Sequence, residues 1–480
     1  MALMSPAQYR ESLRDGRAVY FRGERVEDVT AHPVIGLAVE HASLDYAMAE
    51  DPRWRELAVG GDPETGEPVS RYYLLPRSAE DLLQRSALIE RATALGGTLV
   101  VLIKEIGSDA IFALRLIARA MDERLGTRYL PRVEAFYRRC RQGDLAAAVA
   151  QTDVKGDRSL GPSQQAHPDY YLRAVGEDAE GITVRGAKAH TSVATNAHEL
   201  IVLPTRALRP GDEPYALAFA VPLNAPGLTL VASPWGAHRH DPFERPISSR
   251  HRMMETLTIF EDVKVPWERV FLKGEVGFAG PLAHSFVEFH RFTAMSYKLP
   301  LLDLLVGAAH LAADYNGVAS AAHVRDKLAR LVAYACICRA TTHMAAHQCR
   351  TADGVAVPNA ELLNVAKFYF ATNFHQALAW VQDIAGGLLV TAPGREDAEH
   401  PRLGELIDKY LGGRAGVSAE DRLRLFRLIA EITASDYAGY QGVLAIHAEG
   451  SVEAEKLTLL RAHDPSPAIA YAKELAGIRD

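Results

Sequence analysis

The sequence predicts an α+β fold in three parts, and three observations support this prediction. Apolar residues recur at helical spacing near both ends of the chain, short strands between glycine- and proline-marked turns occupy the middle, and 480 residues are too many for one small core. We therefore expect an N-terminal helical domain over residues 1–145, a middle β-barrel domain over 146–278 and a C-terminal four-helix bundle over 279–480.

The N-terminal part has start signals and a periodicity that are typical of helices. Residues 78–81 read Ser-Ala-Glu-Asp, which places a capping hydroxyl and two acids at a helix start before Leu82. Between residues 111 and 125 the apolar side chains fall on one stripe, so a further helix is expected there.

Short strands separated by turns fill residues 150–275. Residues 171–175 alternate in polarity, 177–181 form a turn and 182–186 return, as in a hairpin. Further strands are expected at 200–204, 215–221, 228–231 and 255–260. Several strands at this spacing are typical of a small barrel or sandwich.

Long amphipathic stretches follow in the last part of the chain. They cover residues 298–315, 322–350, 358–386 and 419–445. Four helices of this length predict a bundle.

Composition excludes several classes of function. The net charge of −7 is modest, without the clustered Lys and Arg of a nucleic-acid or anionic-membrane surface. No segment has the roughly 18 uninterrupted apolar residues of a membrane span, and residues 1–19 lack the apolar core of a signal peptide. We expect a cytoplasmic protein whose four cysteines are reduced, buried thiols.

No metal site is expected. His343 and His347 are four residues apart on a predicted helix and could share a metal, but no third ligand is evident. Cys336 and Cys338 point about 200° apart around their helix, so they do not form a thiolate pair.

Six motifs, in a fixed order, carry a family resemblance. They lie at 152–159 (Thr-Asp-Val-Lys-Gly-Asp-Arg-Ser), 186–192 (Gly-Ala-Lys-Ala-His-Thr-Ser), 260–271, 385–388, 390–393 and 450–455. Together they resemble the family of 4-hydroxyphenylacetate 3-hydroxylases and 4-hydroxybutyryl-CoA dehydratases, and the C-terminal motifs are closer to the dehydratase branch. The resemblance implies an acyl-CoA dehydrogenase-like fold, in which flavin lies between the middle domain and the bundle.

The resemblance also implies residues on the cofactor side. These are Asp157, Arg158, Thr191, Ser192, Gly386 and Gly387. The hydroxyls of Thr191 and Ser192 suit the carbonyl edge or phosphates of a flavin, and two glycines in a helical context favour close approach to a ligand or a neighbouring subunit. A plain turn at 191–192 and a surface salt bridge at 157–158 are the structural alternatives. The cofactor is FAD, reduced FAD or none.

In the dehydratase branch, two cysteines four apart, a histidine and a cysteine seven beyond it ligate an iron–sulfur cluster. The corresponding positions here are about Val101 and Glu105, then His290 and Tyr297. Three thiolates are missing, and a cluster requires soft sulfur donors. We therefore expect no iron–sulfur cluster and no dehydration by that mechanism.

Residues of the hydroxylase branch are absent as well. That branch has an arginine and a tyrosine in a Gly-Arg-x-Pro-Asp-Tyr segment, whereas residues 106–110 here read Ile-Gly-Ser-Asp-Ala. A histidine shortly before the Asp-Arg-Ser motif is missing too. Activation of a phenolate therefore lacks its usual groups.

The first functional hypothesis is a natural-product enzyme that kept its pocket and lost its redox chemistry. It would fold a reactive polyene, enone or quinone-like small molecule and catalyse a Diels–Alder-type cyclisation or an isomerisation. Such reactions mostly need conformational restriction and one or two donors on a carbonyl. We expect His290, Arg291 and Tyr297 to supply these groups.

The alternative is a two-component monooxygenase that uses reduced flavin from a separate reductase to hydroxylate a phenol. His290 would then be the base, as in some phenol-oxidising relatives, because a neutral imidazole moves protons near pH 7. The structural alternative for His290 is a histidine that is hydrogen-bonded at a helix start. The third functional possibility is a non-catalytic binding or scaffolding protein. In each case the fold predicts a homodimer or homotetramer.

Overall fold

The structure is a computed structural model and describes residues 3–236 and 241–478. Its N-terminal part contains α1 (Pro6–Ser12), β1 (Ala18–Phe21), β2 (Glu24–Val26), α2 (Ile35–Ala42), α3 (Leu44–Glu50), α4 (Arg55–Ala58), β3 (Val59–Gly61), β4 (Pro68–Ser70), α5 (Ala79–Leu95), α6 (Glu105–Leu125) and α7 (Leu130–Gln142). The predicted start of α5 is confirmed, since the Ser78 hydroxyl accepts from the Asp81 N–H at 3.2 Å.

The middle part is built from strands. They are β5 (Ala147–Ala150), β6 (Arg173–Glu177), β7 (Gly181–Ser192), β8 (Glu199–Val202), β9 (Leu217–Pro222), β10 (Leu228–Ala232), β11 (Glu255–Pro266) and β12 (Val270–Lys273). The predicted hairpin corresponds to β6 and β7, which pair antiparallel. Single turns of 3₁₀ helix lie at Arg71–Tyr73, Pro162–Gln164, Pro168–Tyr170, Ala194–Asn196, Glu213–Tyr215 and Trp267–Arg269.

These strands form two open sheets rather than the closed barrel that was expected. Among the described residues, one sheet has the order β2-β1-β10-β11-β7-β6 and the other the order β12-β9-β8-β5. The first sheet stays open because each of its edge strands pairs with a single neighbour. Strand spacing in a sequence predicts that strands pair but not where a sheet ends, which is why closure was wrongly predicted.

The N-terminal part is not purely helical. Strand β1 pairs in parallel with β10, with Ala18 opposite Thr229, and β2 continues the same sheet. The two strands are four and three residues long, too short to show a period of two in the sequence. They join the N-terminal part to the middle sheet.

Helices make up the last part. They are α8 (Val276–Tyr315), α9 (Ala322–His347), α10 (Ala360–Ala385), α11 (Leu388–Thr391), α12 (Arg395–Glu399), α13 (Pro401–Leu411), α14 (Ala419–Ala434), α15 (Asp436–His447), α16 (Val452–Ala462) and α17 (Ser466–Ala476), with a hairpin of β13 (Arg350–Ala352) and β14 (Val355–Val357). The four predicted stretches are found as α8, α9, α10 and the pair α14–α15, so the predicted α+β class is confirmed.

Helix α8 is the central element of the bundle. It is 40 residues long and packs on α5, α6, α9 and α10. Because neighbours cover it on several sides, polar residues in its middle, including those at 290, 291 and 296, are buried. It begins about 20 residues earlier than its amphipathic pattern predicted, and residues 289–296 are all buried, so no polar stripe marks that stretch.

Two smaller expectations have different outcomes. Cys140 and Cys338 are buried as predicted, but Cys349 is half-buried and Cys336 is exposed on α9. Across residues 3–236 and 241–478, no helix combines the length and the apolar character needed to cross a membrane.

Candidate active site

Three residues predicted to be catalytic lie on α8, and the structure gives each a different surrounding. His290 and Tyr297 are seven residues apart, which is about two helical turns, so they lie on the same side of the helix. Arg291 is turned about 100° from His290. The two neighbours in sequence therefore contact different elements.

His290 faces α6. Its Nδ1 lies 3.1 Å from an Asp109 carboxylate oxygen, and its ring stacks on Phe286 with centroids 5.0 Å apart and planes 13° apart. The other Asp109 oxygen accepts from Arg85 at 2.7 Å and from Thr293 at 3.1 Å. The histidine thus belongs to a buried ionic network that joins α5, α6 and α8.

Tyr297 faces the segment that follows α15. Its hydroxyl donates to the Glu449 carboxylate, whose other oxygen lies 2.9 Å from the Lys298 ammonium. Lys298 also donates to the Tyr297 oxygen at 3.1 Å. Glu449 has a positive φ of 57°, a left-handed conformation that few residues other than glycine adopt. Helix α15 ends at His447, and Glu449 turns the chain two residues later, where its carboxylate meets α8.

Burial and nearby charges shift the pKa values of this trio. Burial raises the pKa of Glu449, but Lys298, Lys367 and the Tyr297 hydroxyl outweigh it and bring the value down to about 2. Burial lowers the pKa of Lys298 to about 8 despite the adjacent Glu449. Burial also raises the pKa of Tyr297 well above its usual range, and the charges of Glu449 and Glu255 add to that shift. Glu449 is therefore a carboxylate under ordinary conditions, while Lys298 titrates near neutrality.

Arg291 is held by the protein itself. Its Nε donates to the Glu449 carbonyl at 3.0 Å, and its Nη1 donates to Asn364 of α10. A side chain on Gly450 would meet the Arg291 guanidinium at 2.7 Å, so a glycine is needed beside it. The catalytic role of Arg291 stays a prediction, and its visible contacts position the 449–450 turn.

A second carboxylate lies behind Ser192. Glu255, at the start of β11, accepts from the Ser192 hydroxyl at 2.9 Å and from the Tyr440 hydroxyl at 2.7 Å. Tyr440 stacks on Trp235 with ring centroids 4.0 Å apart. Burial raises the Glu255 pKa to about 7, and the two hydroxyls only partly oppose that shift. Glu255 can therefore both hold and release a proton near neutral pH.

Thr191, the neighbour of Ser192, has a different surrounding. Its backbone carbonyl accepts from Thr256 at 3.2 Å, while its own hydroxyl is buried and has no hydrogen-bond partner within residues 3–236 and 241–478. A buried hydroxyl without a partner is costly unless a ligand or water satisfies it.

A small cavity opens beside Tyr297 and Lys298. It has a volume of about 10 Å³, room for about one water molecule, and is lined further by Leu301, Gln441, Leu444 and residues 98–100. Residues 98–100 belong to the α5–α6 connection, in which Thr98 and Leu102 have positive φ values of 70° and 65°. The cavity wall therefore combines α8, α15 and a loop with unusual backbone geometry.

The remaining predicted cofactor residues are dispersed. Asp157 is exposed and accepts from the backbone N–H and the hydroxyl of Ser159, so it forms a turn rather than a salt bridge with Arg158. Burial lowers the pKa of His190, and the positive charges of Lys155 and Arg158 lower it further. Arg158 therefore belongs to a cluster of cations next to Thr191.

Gly386 and Gly387 are far from this region within one chain. They follow α10, about 33 Å along that helix from Asn364, which contacts Arg291. Gly386 has a positive φ of 82°, and a Cβ at either glycine would meet nothing within 4 Å. Their cofactor role stays a prediction, and in one chain the structure does not bring them to His290.

The residues at the cluster positions do not fit an iron–sulfur cluster. Val101 has no donor atom, and the Glu105 carboxylate accepts from the backbone N–H groups of Leu102 and Lys104 at 3.3 and 3.1 Å. The Tyr297 hydroxyl is hydrogen-bonded to the Glu449 carboxylate, and His290 Nδ1 to the Asp109 carboxylate. Among the described residues, no three or more His, Cys, Asp or Glu side chains are arranged to hold a metal ion.

Sequence reasoning missed four charged residues of this region. They are Asp109, Glu255, Lys298 and Glu449, all with buried side chains. Two signals were available: Lys298 follows Tyr297 in an apolar helix, and Glu449 directly precedes the 450–455 motif. Charged residues in apolar surroundings usually have partners, but the sequence does not show which ones.

Comparisons with known proteins agree with this fold. The family model described as 4-hydroxyphenylacetate 3-hydroxylase N terminal matches residues 5–272, and the corresponding C-terminal model matches residues 279–477. A 4-hydroxybutyryl-CoA dehydratase/vinylacetyl-CoA-Δ-isomerase of Clostridium aminobutyricum is 31% identical and covers 99% of this chain and 100% of its own length.

Solved structures lead to the same family. An oxygen-tolerant archaeal 4-hydroxybutyryl-CoA dehydratase from N. maritimus has a TM-score of 0.93 and 33% identity over 100% of this chain and 96% of its own. The oxygenase component of a 4-hydroxyphenylacetate 3-monooxygenase, complexed with FAD, has a TM-score of 0.90 and 28% identity over 98% of both chains. These relatives are enzymes, and the predicted acyl-CoA dehydrogenase-like fold is confirmed. The chain is a member of the 4-hydroxyphenylacetate 3-hydroxylase family, which its sequence motifs predicted.

Proposed function

We propose that this protein is an isomerase that moves a double bond in a small unsaturated carbonyl compound, without net oxidation or reduction. The observation that carries the proposal is Glu255, a buried carboxyl with a pKa of about 7 whose charge reaches Tyr297. Of the two outcomes expected from the sequence, cyclisation needs mainly confinement, whereas isomerisation needs groups that exchange protons. Proton-exchanging groups are abundant here.

The reaction needs a base and an acid. His290 takes a proton from the carbon next to the carbonyl, and the electron pair moves into the carbonyl as an enolate. Glu255, which is about half protonated near pH 7, returns a proton at the far end of the double bond. Lys298 and Tyr297 line the cavity, where a positive charge and a phenol stabilise the enolate oxygen.

A relative supports this reaction class. The Clostridium enzyme, 31% identical over its full length, has a Δ-isomerase activity in its name beside the dehydratase activity. The dehydratase activity is not proposed here, because residues 101, 105 and 297 do not supply thiolates. The isomerase activity needs only proton transfer and is compatible with the residues that remain.

The region beside Thr191 fits a flavin. The buried Thr191 hydroxyl lacks a partner among the described residues, and the positive charges of Lys155 and Arg158, close to His190, suit phosphates. A bound FAD would supply hydride or oxygen chemistry, and in an isomerase it would shape the pocket. Thr191 would hold the ring, and the cations would hold the diphosphate.

A reduced-flavin monooxygenase is the second candidate. It is favoured by a solved relative that contains both FAD and 4-hydroxyphenylacetate, with a TM-score of 0.90 and 28% identity. This enzyme would hydroxylate a phenol with His290 as the base and would need a separate reductase. Residues 106–110 still lack the arginine and tyrosine expected of that branch.

One set of assays separates the candidates. For the isomerase, we expect incubation of vinylacetyl-CoA in D₂O to give the conjugated isomer with deuterium incorporated, measured by mass spectrometry. For the monooxygenase, 4-hydroxyphenylacetate with chemically reduced FAD and oxygen would give a hydroxylated product, and FAD would bind tightly and stoichiometrically. Hydroxylation without deuterium incorporation would exclude the isomerase.

Variants connect the activity to the site. Both H290A and E255Q are expected to lose at least about 100-fold in kcat, since each removes one proton-transfer group. H310A, on the same helix but outside this cavity, is the matched control and should keep full activity. Wild-type turnover in H290A would remove His290 from the mechanism.

A further inference from the structure

The contacts of His290 determine which of its nitrogens is the base. We infer that Asp109 is a positioning residue that fixes the proton of the neutral His290 ring on Nδ1, so that Nε2 is the atom that accepts the substrate proton. This inference deepens the isomerase proposal and rests on it for the identity of the reaction. The tautomer itself does not depend on any substrate.

The Asp109 carboxylate acts as an acceptor on both oxygens. One oxygen accepts from Arg85 at 2.7 Å and from Thr293 at 3.1 Å, and the other lies 3.1 Å from His290 Nδ1. An ionised carboxylate has no proton to donate, so the contact requires the hydrogen on Nδ1. The Arg85 guanidinium and the Asp109 carboxylate form a buried, charge-assisted hydrogen bond of 2.7 Å.

The carboxylate has little freedom to turn. Arg85 also donates to the Tyr72 carbonyl at 2.9 Å and lies over the Phe112 ring, while Thr293 is on α8, three residues beyond His290. The three donors therefore come from α5 and from one turn of α8. A rotation of Asp109 away from His290 would break contacts with both helices.

The imidazole ring is also fixed in its plane. It stacks on Phe286 at a centroid distance of 5.0 Å, which opposes a ring flip that would exchange Nδ1 with Cδ2 and take Nδ1 away from Asp109. Nε2 makes no hydrogen bond to residues 3–236 or 241–478, and it is not among the fully enclosed polar atoms of that part. With the proton on Nδ1, the free lone pair is on Nε2, the nitrogen open to a ligand.

Proton transfer to Nε2 then has a defined course. The substrate C–H bond breaks, an N–H bond forms at Nε2, and the electron pair stays on the substrate as an enolate. Asp109 remains ionised and stabilises the imidazolium through its contact with Nδ1–H, as the aspartate does in serine-protease triads. No oxidant or reductant takes part.

The first test measures the tautomer in the wild-type holoprotein. With ¹⁵N-labelled histidine, long-range ¹H–¹⁵N correlation spectra distinguish the Nδ1–H from the Nε2–H tautomer, and H290Q identifies the His290 signal by its loss. We expect the Nδ1–H tautomer at pH 8. An Nε2–H tautomer in the wild type would overturn the inference without any variant.

The second test uses D109N, with D314N as the matched control because Asp314 is an exposed partner of Arg414. We expect D109N to lose its single Nδ1–H signal and about 10²–10⁴-fold in kcat, with KM within about threefold, by analogy with triad variants. D314N should match the wild type in both readouts. A wild-type kcat in folded D109N would contradict the inference.

The two readouts also separate this inference from the proposed function. One outcome is an Nδ1–H tautomer in the wild type that is lost in D109N, together with no isomerisation of unsaturated thioesters. This result would support the positioning role of Asp109 and exclude only the isomerase function. Isomerisation that proceeds with an Nε2–H tautomer supports the isomerase and removes the positioning role.

Discussion

Two buried carboxylates of this protein differ in their partners, and the partners determine their charge. Glu449 contacts the Lys298 ammonium and the Tyr297 hydroxyl, and its pKa is about 2. Within the described part of the chain, the Glu255 carboxylate accepts only from the hydroxyls of Ser192 and Tyr440, and burial raises its pKa to about 7. A nearby cation offsets the loss of hydration of a carboxylate, whereas neutral donors offset it only in part.

Glu255 predicts a specific dependence of stability on pH. Its pKa is raised from 4.5 to about 7 on folding, so its stabilising contribution is complete below about pH 4.5 and is lost as the pH rises through 7. In the wild type, ionisation of Glu255 should lower the free energy of unfolding by up to about 3 kcal/mol over this pH range. The E255Q variant should not show this decrease. Urea titrations at each pH measure the free energy of unfolding of both proteins.

Glu261, an exposed glutamate on the same strand, provides the control. E261Q should show the same pH dependence of unfolding as the wild type, because an exposed carboxyl changes its pKa little on folding. An unchanged pH profile in E255Q would show that Glu255 is already ionised in the folded protein.

The iron content follows from the residues at the cluster positions. Val101, Glu105 and Tyr297 offer no sulfur, and iron–sulfur clusters need thiolates. We expect protein purified without oxygen to contain less than about 0.1 iron per chain by mass spectrometry, since adventitious metal is sub-stoichiometric. A brown protein with stoichiometric iron would contradict this expectation.

At the level of elements, the α5–α6 connection is the least regular part of the cavity wall. Gly97, Thr98 and Leu102 all have positive φ values, and Thr98 is held by the Tyr437 hydroxyl at 3.0 Å. The His41 Nε2–H donates to the Val100 carbonyl at 3.0 Å. Contacts from α2 and α15 thus add to the loop's own hydrogen bonds, such as that from the Leu99 N–H to the Gly96 carbonyl at 3.2 Å.

Gly96 tests the contribution of these contacts. A Cβ at this position would lie 2.6 Å from both the His41 ring and the Leu99 carbonyl, so G96A should lower the free energy of unfolding by about 1–3 kcal/mol. It should also lower kcat, because the displaced loop lines the cavity. Thermal unfolding and the deuterium assay measure the two effects.

The control is G277A in the first turn of α8, where a Cβ would meet nothing within 4 Å. Alanine favours a helix over glycine by up to about 1 kcal/mol, so this variant should be unchanged or slightly more stable. A G96A protein with wild-type stability and activity would mean that the loop tolerates a shift.

Elements also show where local patterns were sufficient. The capped start of α5 and the β6–β7 hairpin follow from a few neighbouring residues, and both were predicted. Strands β1 and β2 were missed because they are short and because β1 pairs with β10, about 210 residues away. The closed barrel was wrong because sheet edges depend on such distant pairings.

For the whole molecule, the C-terminal helix α17 indicates an assembly. None of its residues is buried, although Leu475 is 71% exposed and Tyr471 is 63% exposed. Leu475 follows Tyr471 by four residues, so the two side chains lie on the same side of the helix. Large exposed apolar side chains on one face are typical of a surface that contacts another chain, which agrees with the expected homodimer or homotetramer.

Changes in α17 test this expectation. We expect L475D to shift the protein to smaller species in sedimentation velocity, while each chain keeps its helix content and melting temperature, since α17 adds no buried residue. A470D, on the other side of the helix, should sediment like the wild type. A wild-type monomer, or an unchanged mass in L475D, would contradict the role of this face.

The sequence by itself determined the family, the α+β class and the loss of the cluster thiolates, because motifs and periodicities are local and survive in one dimension. Only the tertiary structure decided the partners of the site. His290 and Asp109 are 181 positions apart, and Tyr297 and Glu449 are 152 apart. The protonation of each group depends on burial and on these distant charges, and folding alone brings them within hydrogen-bonding distance.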